Sequence, residues 1–451
     1  MGPSECVIAY FGLIYIVLRQ YQRTFPLVEG ISKELWYVDS LSLNIKIFLL
    51  FLIGLVVIFW YLLDNKNSEI PLTIENLLLV LLCTSGILVL MTSNHLFVLY
   101  LGFELQSLSL YILCSLKRYS NKSLEAGFKY YLYGSFSSAL LLLGISFIYL
   151  VLGTLNFNDI YLTVSAMEFT GATKILLHMG LTFIFVSFLF KLAVFPFHWW
   201  LADIYEGSAD IITFFLALVT KLPYFYIFYR LYFNIFSQFV IYSYILAFCG
   251  VSSILIGSLL ALYEIKIKKL IAYSSIVHMG YMVLGLALGS KMGTVVAFYY
   301  FFIYIIVTIS IFSVFLLVRL SNDSTLRNVT DFVYLKNNRW LAIFSIVSFL
   351  SLAGIPPLIG FYGKLFIFYT LIASGNYYLS MFLVLLSILS SIYYIRLIRF
   401  IFFNDRNYEP RIFTKKLPPY LSMWIAFCFL INTGFLFFQE PFLVHLLSLF
   451  L

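Results

Sequence analysis

Repeated apolar runs, each about as long as a bilayer is thick, constrain this chain more than any other feature. A hydrocarbon core about 30 Å across offers no water to backbone N–H and C=O groups. A helix of about 20 apolar residues crosses it with every backbone group paired internally. Such runs lie near 6–18, 42–63, 72–91, 95–116, 126–152, 174–198, 209–232, 238–263, 269–289, 293–318, 340–371, 378–403 and 420–438. The expected fold is all-α: a polytopic membrane bundle of about thirteen (13–14) transmembrane helices. Of the 451 residues, 63% are hydrophobic and only 11% are charged. A soluble domain carries about 25% charged residues, so a water-soluble enzyme and a disordered chain are both excluded.

Two runs contain breaks. The run at 340–371 holds Gly354, Pro356, Pro357, Gly360 and Gly363, and is too long for one straight crossing. It reads as a broken helix or as two separate spans, because proline removes a donor and clashes with the preceding turn. The run at 174–198 carries Lys191 and then Pro196. In the first run the prolines precede Lys364, and in the second the proline follows Lys191. Inverted-topology repeats produce pairs of this kind.

The net charge is +8, with 28 basic and 20 acidic residues. The basic residues cluster in gaps between runs: Lys117, Arg118 and Lys122; Lys266, Lys268 and Lys269; Arg319, Arg327, Lys336 and Arg339; Arg406, Arg411, Lys415 and Lys416. These are the even-numbered gaps, which the positive-inside rule places on the cytoplasmic or matrix side. Arg19, Arg23 and Lys33 in the first gap run against that assignment. This spacing indicates membrane topology and no nucleic-acid partner. The five cysteines form no CxxC pair, the five histidines form no HExxH, and neither a P-loop nor GxGxxG occurs. No metal site, disulfide scaffold or dinucleotide fold is expected.

Charges inside the runs are the informative residues, since each costs a few kcal/mol or more at mid-bilayer. Glu104 lies mid-run in VLYLGFELQSLSLYIL, and Lys191 lies in FVSFLFKLAVFPFHWW. Lys221 precedes Pro223, and Lys364 follows the Gly/Pro break. His198 stands beside Trp199 and Trp200, where interfacial anchoring is the plain alternative to proton transfer. His278 and His178 suit either a proton relay or a satisfied core position. Glu125 and Lys129 are four apart and pair on one helix face, with a solvated helix end as the plain reading. Arg230 is near a run end and is expected to reach water. A line through Glu104, Lys129, Lys191, Lys221, His278 and Lys364 would form a polar axis for proton relay. The partners expected from such a chain are lipids, protons and internal water.

Five stretches carry a family resemblance: LGFELQSLSLYIL, SLEAGFKYYLYGSFSSALLLLGISFIY, FKLAVFPFHWWLADIYEG, KKLIAYSSIVHMGYMVLG and SLAGIPPLIGFYGKLFIF. Over about residues 90–400 the sequence resembles chain 2 of NADH–quinone oxidoreductase (respiratory complex I), the mitochondrial subunit 2 and its bacterial chain N relatives, among the Mrp antiporter-like proteins. The family commonly has Pro–Asp and Ala–Pro where this chain has Ala202–Asp203 and Ala209–Asp210. The resemblance implies a proton-translocating membrane subunit that couples redox energy released elsewhere in the complex to pumping. It makes Glu104 the glutamate of the proton module and Lys191 its broken-helix lysine. Lys221 becomes the connecting lysine, Lys364 the lysine of the second broken helix, and Lys129 the lysine of the EAxxKY stretch. His198 and His278 match histidines of the polar route.

The resemblance also implies no redox cofactor in this subunit, with NADH, FMN, iron–sulfur clusters and ubiquinone used elsewhere in the enzyme. Its partners would be other membrane-arm subunits. The expected organisation is N-terminal helices over 1–92, antiporter-like repeats over 93–263 and 264–403, and a matrix-side loop with a C-terminal helix over 404–451. The 49 phenylalanines and 35 tyrosines favour a mitochondrial inner-membrane protein over a bacterial plasma-membrane one. The competing functions are a cation/proton antiporter subunit of the Mrp type and a structural scaffold whose buried charges are relics.

Overall fold

The computed structural model describes residues 12, 35–63, 70–166, 170–318, 326–403, 419–434 and 439–450. Apart from Gly12, the run at 6–18 lies outside them, as do Arg19, Arg23 and Lys33 and the loop at 404–418. Within the described residues every later run falls largely on helix. Among the described residues, ten helices are long and apolar enough to cross a membrane, or eleven if the last two helices form one span bent by 85°. Secondary structure is helical apart from isolated β-bridges among the described residues. The chain is an all-α polytopic membrane bundle with broken helices.

The chain divides into two compact units, one of Met1–Ala193 with Gly207–Tyr242, the other of Val194–Glu206 with Ser243–Leu451. In the first, α1 (Ser40–Leu63), α2 (Ile74–Thr92), α3 (Leu96–Cys114) and α4 (Asn121–Leu152) are followed by the short α5 (Phe157–Ala166) and by α6 (Gly171–Leu192). Helix α2 packs on α3 and α4 packs on α6. Lipid tails give apolar helices no hydrophobic reason to associate, so close approach of backbones at small residues holds such pairs. At the α4–α6 crossing a β-carbon on Gly144 would lie 2.7 Å from the Gly180 carbonyl oxygen, which shows how near the two backbones run.

After α7 (Trp200–Gly207), one apolar stretch is split into α8 (Asp210–Leu218) and α9 (Lys221–Asn234). Pro223 has no N–H for the Val219 carbonyl, and the helix is interrupted one turn earlier, at Val219 and Thr220. Lys221 therefore opens the second half. Helix α6 ends before its proline as well. Ala193 turns left-handed at φ 54°, and its N–H bonds the Leu189 and Phe190 carbonyls. It is the one non-glycine residue with positive φ among the described residues. The helix does not continue to His198, so a spacing of seven from Lys191 puts no two side chains on one helical face there.

The second unit holds α7, most of α10 (Val240–Tyr263), α11 (Ile267–Ala287), α12 (Lys291–Leu317), α13 (Arg339–Ala353), α14 (Ile359–Ala373), α15 (Tyr377–Phe403), α16 (Pro419–Gly434) and α17 (Gln439–Phe450). Helix α12 packs against α11, α13, α14, α16 and α17. The 340–371 run is two 15-residue helices, each shorter than the ~20 residues a full crossing takes.

One end of this unit gathers the basic gaps. Lys266 pairs with Glu206, and Lys269 pairs with Asp203 at 3.5 Å and with Glu206 at 3.3 Å. Lys266 bridges Asn328 through its backbone. Arg396, late in α15, donates to the Leu262 and Glu264 carbonyls. Helix α7, the segments after α10 and α12 and the end of α15 thus share one face of this unit.

Burial alone would raise the Glu206 carboxyl, but the hydrogen bond and charge of Lys266 and the charge of Lys269 hold it below the usual carboxylate range. A group with a depressed folded pKa stabilises at neutral pH and loses that contribution as pH falls through the depressed value. The pairs are partly exposed and worth less than about 1 kcal/mol. Amide hydrogen exchange of Trp200–Gly207, corrected for intrinsic rate, should accelerate on acidification. Glu206→Gln should raise the neutral-pH rate and abolish the acid-dependent change.

Candidate functional site

Each unit holds a buried lysine beside a helix break, Lys191 in the last turn of α6 and Lys364 early in α14. In the first unit, Lys191 occupies the last turn of α6 and is 4% exposed. Its Nζ lies 4.5 Å from the centroid of the Phe103 ring and 5.7 Å from those of Tyr111 and Tyr224. It reaches the Tyr111 hydroxyl at 3.5 Å, the outer limit of a hydrogen bond. The ammonium is held chiefly by aromatic ring faces, each desolvated contact being worth up to ~2 kcal/mol.

Glu104 acts electrostatically on Lys191. Glu104, Ser107 and Tyr111 fall at i, i+3 and i+7 of α3 and share one face. The Ser107 hydroxyl stands 3.5 Å from the Glu104 carboxylate. Gln106 is fully buried, and its amide bonds nothing among the described residues. Lys221, 2% exposed, begins α9 one turn before Tyr224. Lys129 is placed differently. It is half-exposed on α4 and pairs with Glu125 at 2.8 Å.

In the second unit the Lys364 ammonium donates to the Ala353 carbonyl at 2.8 Å, beyond the turn that ends α13. That carbonyl is one of the four a helix C-terminus leaves without an internal partner. Gly354 makes the approach possible. It sits at φ 80°, and a β-carbon there would lie 2.9 Å from Lys364 Cδ. Lys364 also lies 5.7 Å from the Tyr281 ring centroid.

His278, 3% exposed on α11, has both ring nitrogens engaged, Nδ1 with the Tyr300 hydroxyl at 2.7 Å and Nε2 with the Tyr394 hydroxyl at 3.0 Å. A cavity of about 10 Å³, room for one water, is lined by His278, Tyr300, Tyr304, Ser351 and Gly360. His278 and the α13–α14 break thus border one small cavity, which Ile303, Val307 and Leu352 also line. His198 is buried beside the Phe195 ring, with Nδ1 unbonded among the described residues. His178 is half-buried and meets Phe239 edge-on at 4.8 Å. No group of three or more His, Cys, Asp or Glu among the described residues could hold a metal ion.

Residues 93–390 match the family described as "NADH:quinone oxidoreductase/Mrp antiporter, TM". The chain belongs to that family. It is 38% identical over 354 residues to NADH-ubiquinone oxidoreductase chain 2 of Oenothera berteroana, covering 76% of this chain and 70% of that one. It is 37% identical over 386 residues to NADH-quinone oxidoreductase subunit N of Pelagibacter ubique, covering 85% and 80%. The chain is a homologue of chain 2 and subunit N.

In fold it resembles a chain of respiratory complex I from Thermus thermophilus with bound aureothin. The TM-score is 0.78 at 24% identity, over 98% of this chain and 94% of that chain. A chain of the Mrp complex from Dietzia sp. gives 0.78 at 18%, over 99% and 91%. The family match covers Glu104, Lys191, Lys221, His278 and Lys364, together with the aromatic residues that surround Lys191.

Sequence reading missed those aromatic partners and the two tyrosines on His278. The i, i+3, i+7 spacing of Glu104, Ser107 and Tyr111 is a signal that could have found one of them. The Gly354 geometry gives a direct check. Gly354→Ala should lower the thermal midpoint of the detergent-solubilised protein more than Gly153→Ala, which has φ 70° but open space around it. The second change costs only the backbone strain of ~1 kcal/mol, and the first adds a clash with Lys364.

Proposed function

We propose that this chain is a proton-translocating membrane subunit of an NADH:ubiquinone oxidoreductase, coupling redox energy released elsewhere in the enzyme to proton movement. The observation that carries the reading is Lys191: an ammonium buried at a helix break, ringed by aromatic faces, with one carboxylate in electrostatic range. Burial favours the neutral amine and a nearby carboxylate favours the ammonium. A change in the Glu104 to Lys191 distance would therefore load or release a proton. Lys221 and Lys129 serve the same unit, and His278, Lys364 and His198 form the relay of the second. The enzyme's oxidation and reduction steps take place in other subunits, and other membrane-arm subunits are the partners. A cation/proton antiporter of the Mrp type is the competing reading, supported by the likeness in fold to the Mrp complex. The relatives named chain 2 and subunit N favour the first.

The reading extends to architecture. The ten long helices, the broken pair α13–α14, the bent pair α16–α17 and the 6–18 run give thirteen crossings. Residues 93–263 and 264–403 would be inverted repeats, between N-terminal helices over 1–92 and a C-terminal region over 404–451. The left-handed caps Ala193 and Gly354, each closing a helix beside a buried lysine, support that pairing. The mitochondrial inner membrane is the proposed location, on the strength of the Phe and Tyr content, with the bacterial plasma membrane as the alternative. Site-directed labelling should find 117–122 and 404–418 accessible from the matrix side. Labelling of 404–418 from the opposite side alone would overturn this topology.

Substitution at Lys191 tests the mechanism. Lys191→Arg keeps the charge, but a guanidinium does not deprotonate in proteins. Fully assembled Lys191→Arg complex in sealed vesicles should lose proton pumping by about tenfold, the equivalent of about 1.4 kcal/mol. Lys191→Ala should lose at least as much. Wild-type NADH–quinone activity and proton-to-electron ratio in the Arg variant would leave Lys191 a structural charge.

A further inference from the structure

His278 joins three helices of the second unit. It lies on α11, and each ring nitrogen meets a tyrosine hydroxyl from a different helix: Nδ1 that of Tyr300 on α12 at 2.7 Å, Nε2 that of Tyr394 on α15 at 3.0 Å. Both distances are those of full hydrogen bonds, and all three side chains are buried. The atoms form a continuous line of hydroxyl, imidazole and hydroxyl.

The two ends of the line lie in different surroundings. The Tyr300 ring rests on the bare α-carbon of Gly363, where a β-carbon would overlap it. Gly363 precedes Lys364, so this end stands beside the α13–α14 break. The Tyr394 ring stacks on Phe349, with centroids 6.5 Å apart, and Phe349 meets Phe332 edge-on at 5.4 Å. Phe332 belongs to the short helical segment Val329–Asn337, which follows the bridge between Asn328 and Lys266. The Tyr394 end therefore faces the side where the charged segments gather.

The choice of partners matters chemically. A neutral imidazole has one N–H and one bare nitrogen. A backbone carbonyl or a carboxylate on one nitrogen would accept only, and would fix the tautomer. A phenol both donates and accepts, so two phenols fix neither nitrogen. The line has two arrangements with the same heavy-atom positions. In one, Tyr394 donates to Nε2 and the Nδ1–H donates to Tyr300. In the other, Tyr300 donates to Nδ1 and the Nε2–H donates to Tyr394.

We propose that Tyr300 and Tyr394 carry protons to and from His278, forming a three-group wire that reverses its polarity with each proton it passes. The inference rests on the relay reading. From the first arrangement, a hydrated proton forms an O–H bond on the Tyr394 oxygen. The O–H bond that Tyr394 held breaks, and its proton bonds Nε2. The Nδ1–H bond breaks, its proton bonds the Tyr300 oxygen, and the proton Tyr300 held leaves to internal water. Each oxygen gains one proton and loses one, and the imidazole gains at Nε2 what it loses at Nδ1. No charge stays on the wire. It is left in the second arrangement and conducts again in the same sense only after ring and hydroxyls reorient, so protons pass singly.

The test uses assembled complex in sealed vesicles, with Lys191→Arg as reference for the relay. Tyr300→Phe and Tyr394→Phe each remove one hydroxyl and keep the ring. Both should assemble and lower the protons pumped per electron towards the Lys191→Arg value. Tyr304→Phe is the packing control: its ring centroid lies 5.2 Å from that of His278, but its hydroxyl is not one of the two on the nitrogens. It should keep the wild-type ratio. A lowered ratio in Lys191→Arg with a wild-type ratio in either assembled Tyr300→Phe or Tyr394→Phe overturns the inference and leaves the relay standing. An equal loss in Tyr304→Phe makes the effect one of packing and overturns it too, as does failure of both Tyr300→Phe and Tyr394→Phe to assemble. A wild-type ratio in Lys191→Arg as well overturns the relay itself.

Discussion

The bond from the Lys364 ammonium to the Ala353 carbonyl couples two features that are each costly alone. A charge in hydrocarbon costs several kcal/mol unless it finds a partner or water, and a helix ended inside a bilayer leaves carbonyls without donors. Here the break supplies the acceptor and the lysine supplies the donor, at 2.8 Å. The C-terminus of a helix also carries about half a negative charge from its aligned peptides. Lys191 holds the corresponding place in the first unit, in the last turn of α6. Lys364 thus has a partial counter-charge built from backbone, whereas the Lys191 ammonium meets the Tyr111 hydroxyl and ring faces instead.

The aromatic content follows from the same constraint. Tyrosine brings a large apolar body and one hydroxyl, so it fills a bundle interior while offering a hydrogen bond where one is needed. Each ring nitrogen of His278 meets a tyrosine hydroxyl from another helix, Tyr300 on α12 and Tyr394 on α15. Lys191 takes ring faces from Phe103, Tyr111 and Tyr224.

The described spans were legible because run length is a local property of sequence, and so were the breaks near Pro196 and Pro356, whereas the interruption before Pro223 was not. Glu104, Lys191, Lys221 and Lys364 stood out because a charge within an apolar run is conspicuous without any neighbour. What covers each residue is not local, and expectation and structure part there. Arg230 was expected to reach water from a run end, but Ser93 and Asn94, more than a hundred residues earlier, hold its guanidinium. Lys46 lies only a few residues into its run, and nothing nearby in sequence marks it as enclosed. The helix Gln439–Phe450 escaped notice because twelve residues carrying Glu440 and His445 do not look like a span.

The ring shell around Lys191 has a mechanical side. A quadrupole attracts an ammonium but holds a neutral amine only by dispersion. While charged, the side chain is pinned among Phe103, Tyr111 and Tyr224; once neutral, the same shell is an apolar sleeve in which its rotamers are close in energy. Protonation thus sets how stiffly the tip of α6 is tethered to α3 and α9. If Lys191 exchanges its proton as proposed, the shell would act as a charge-operated latch and turn the occupancy of that site into a difference in compliance between helices.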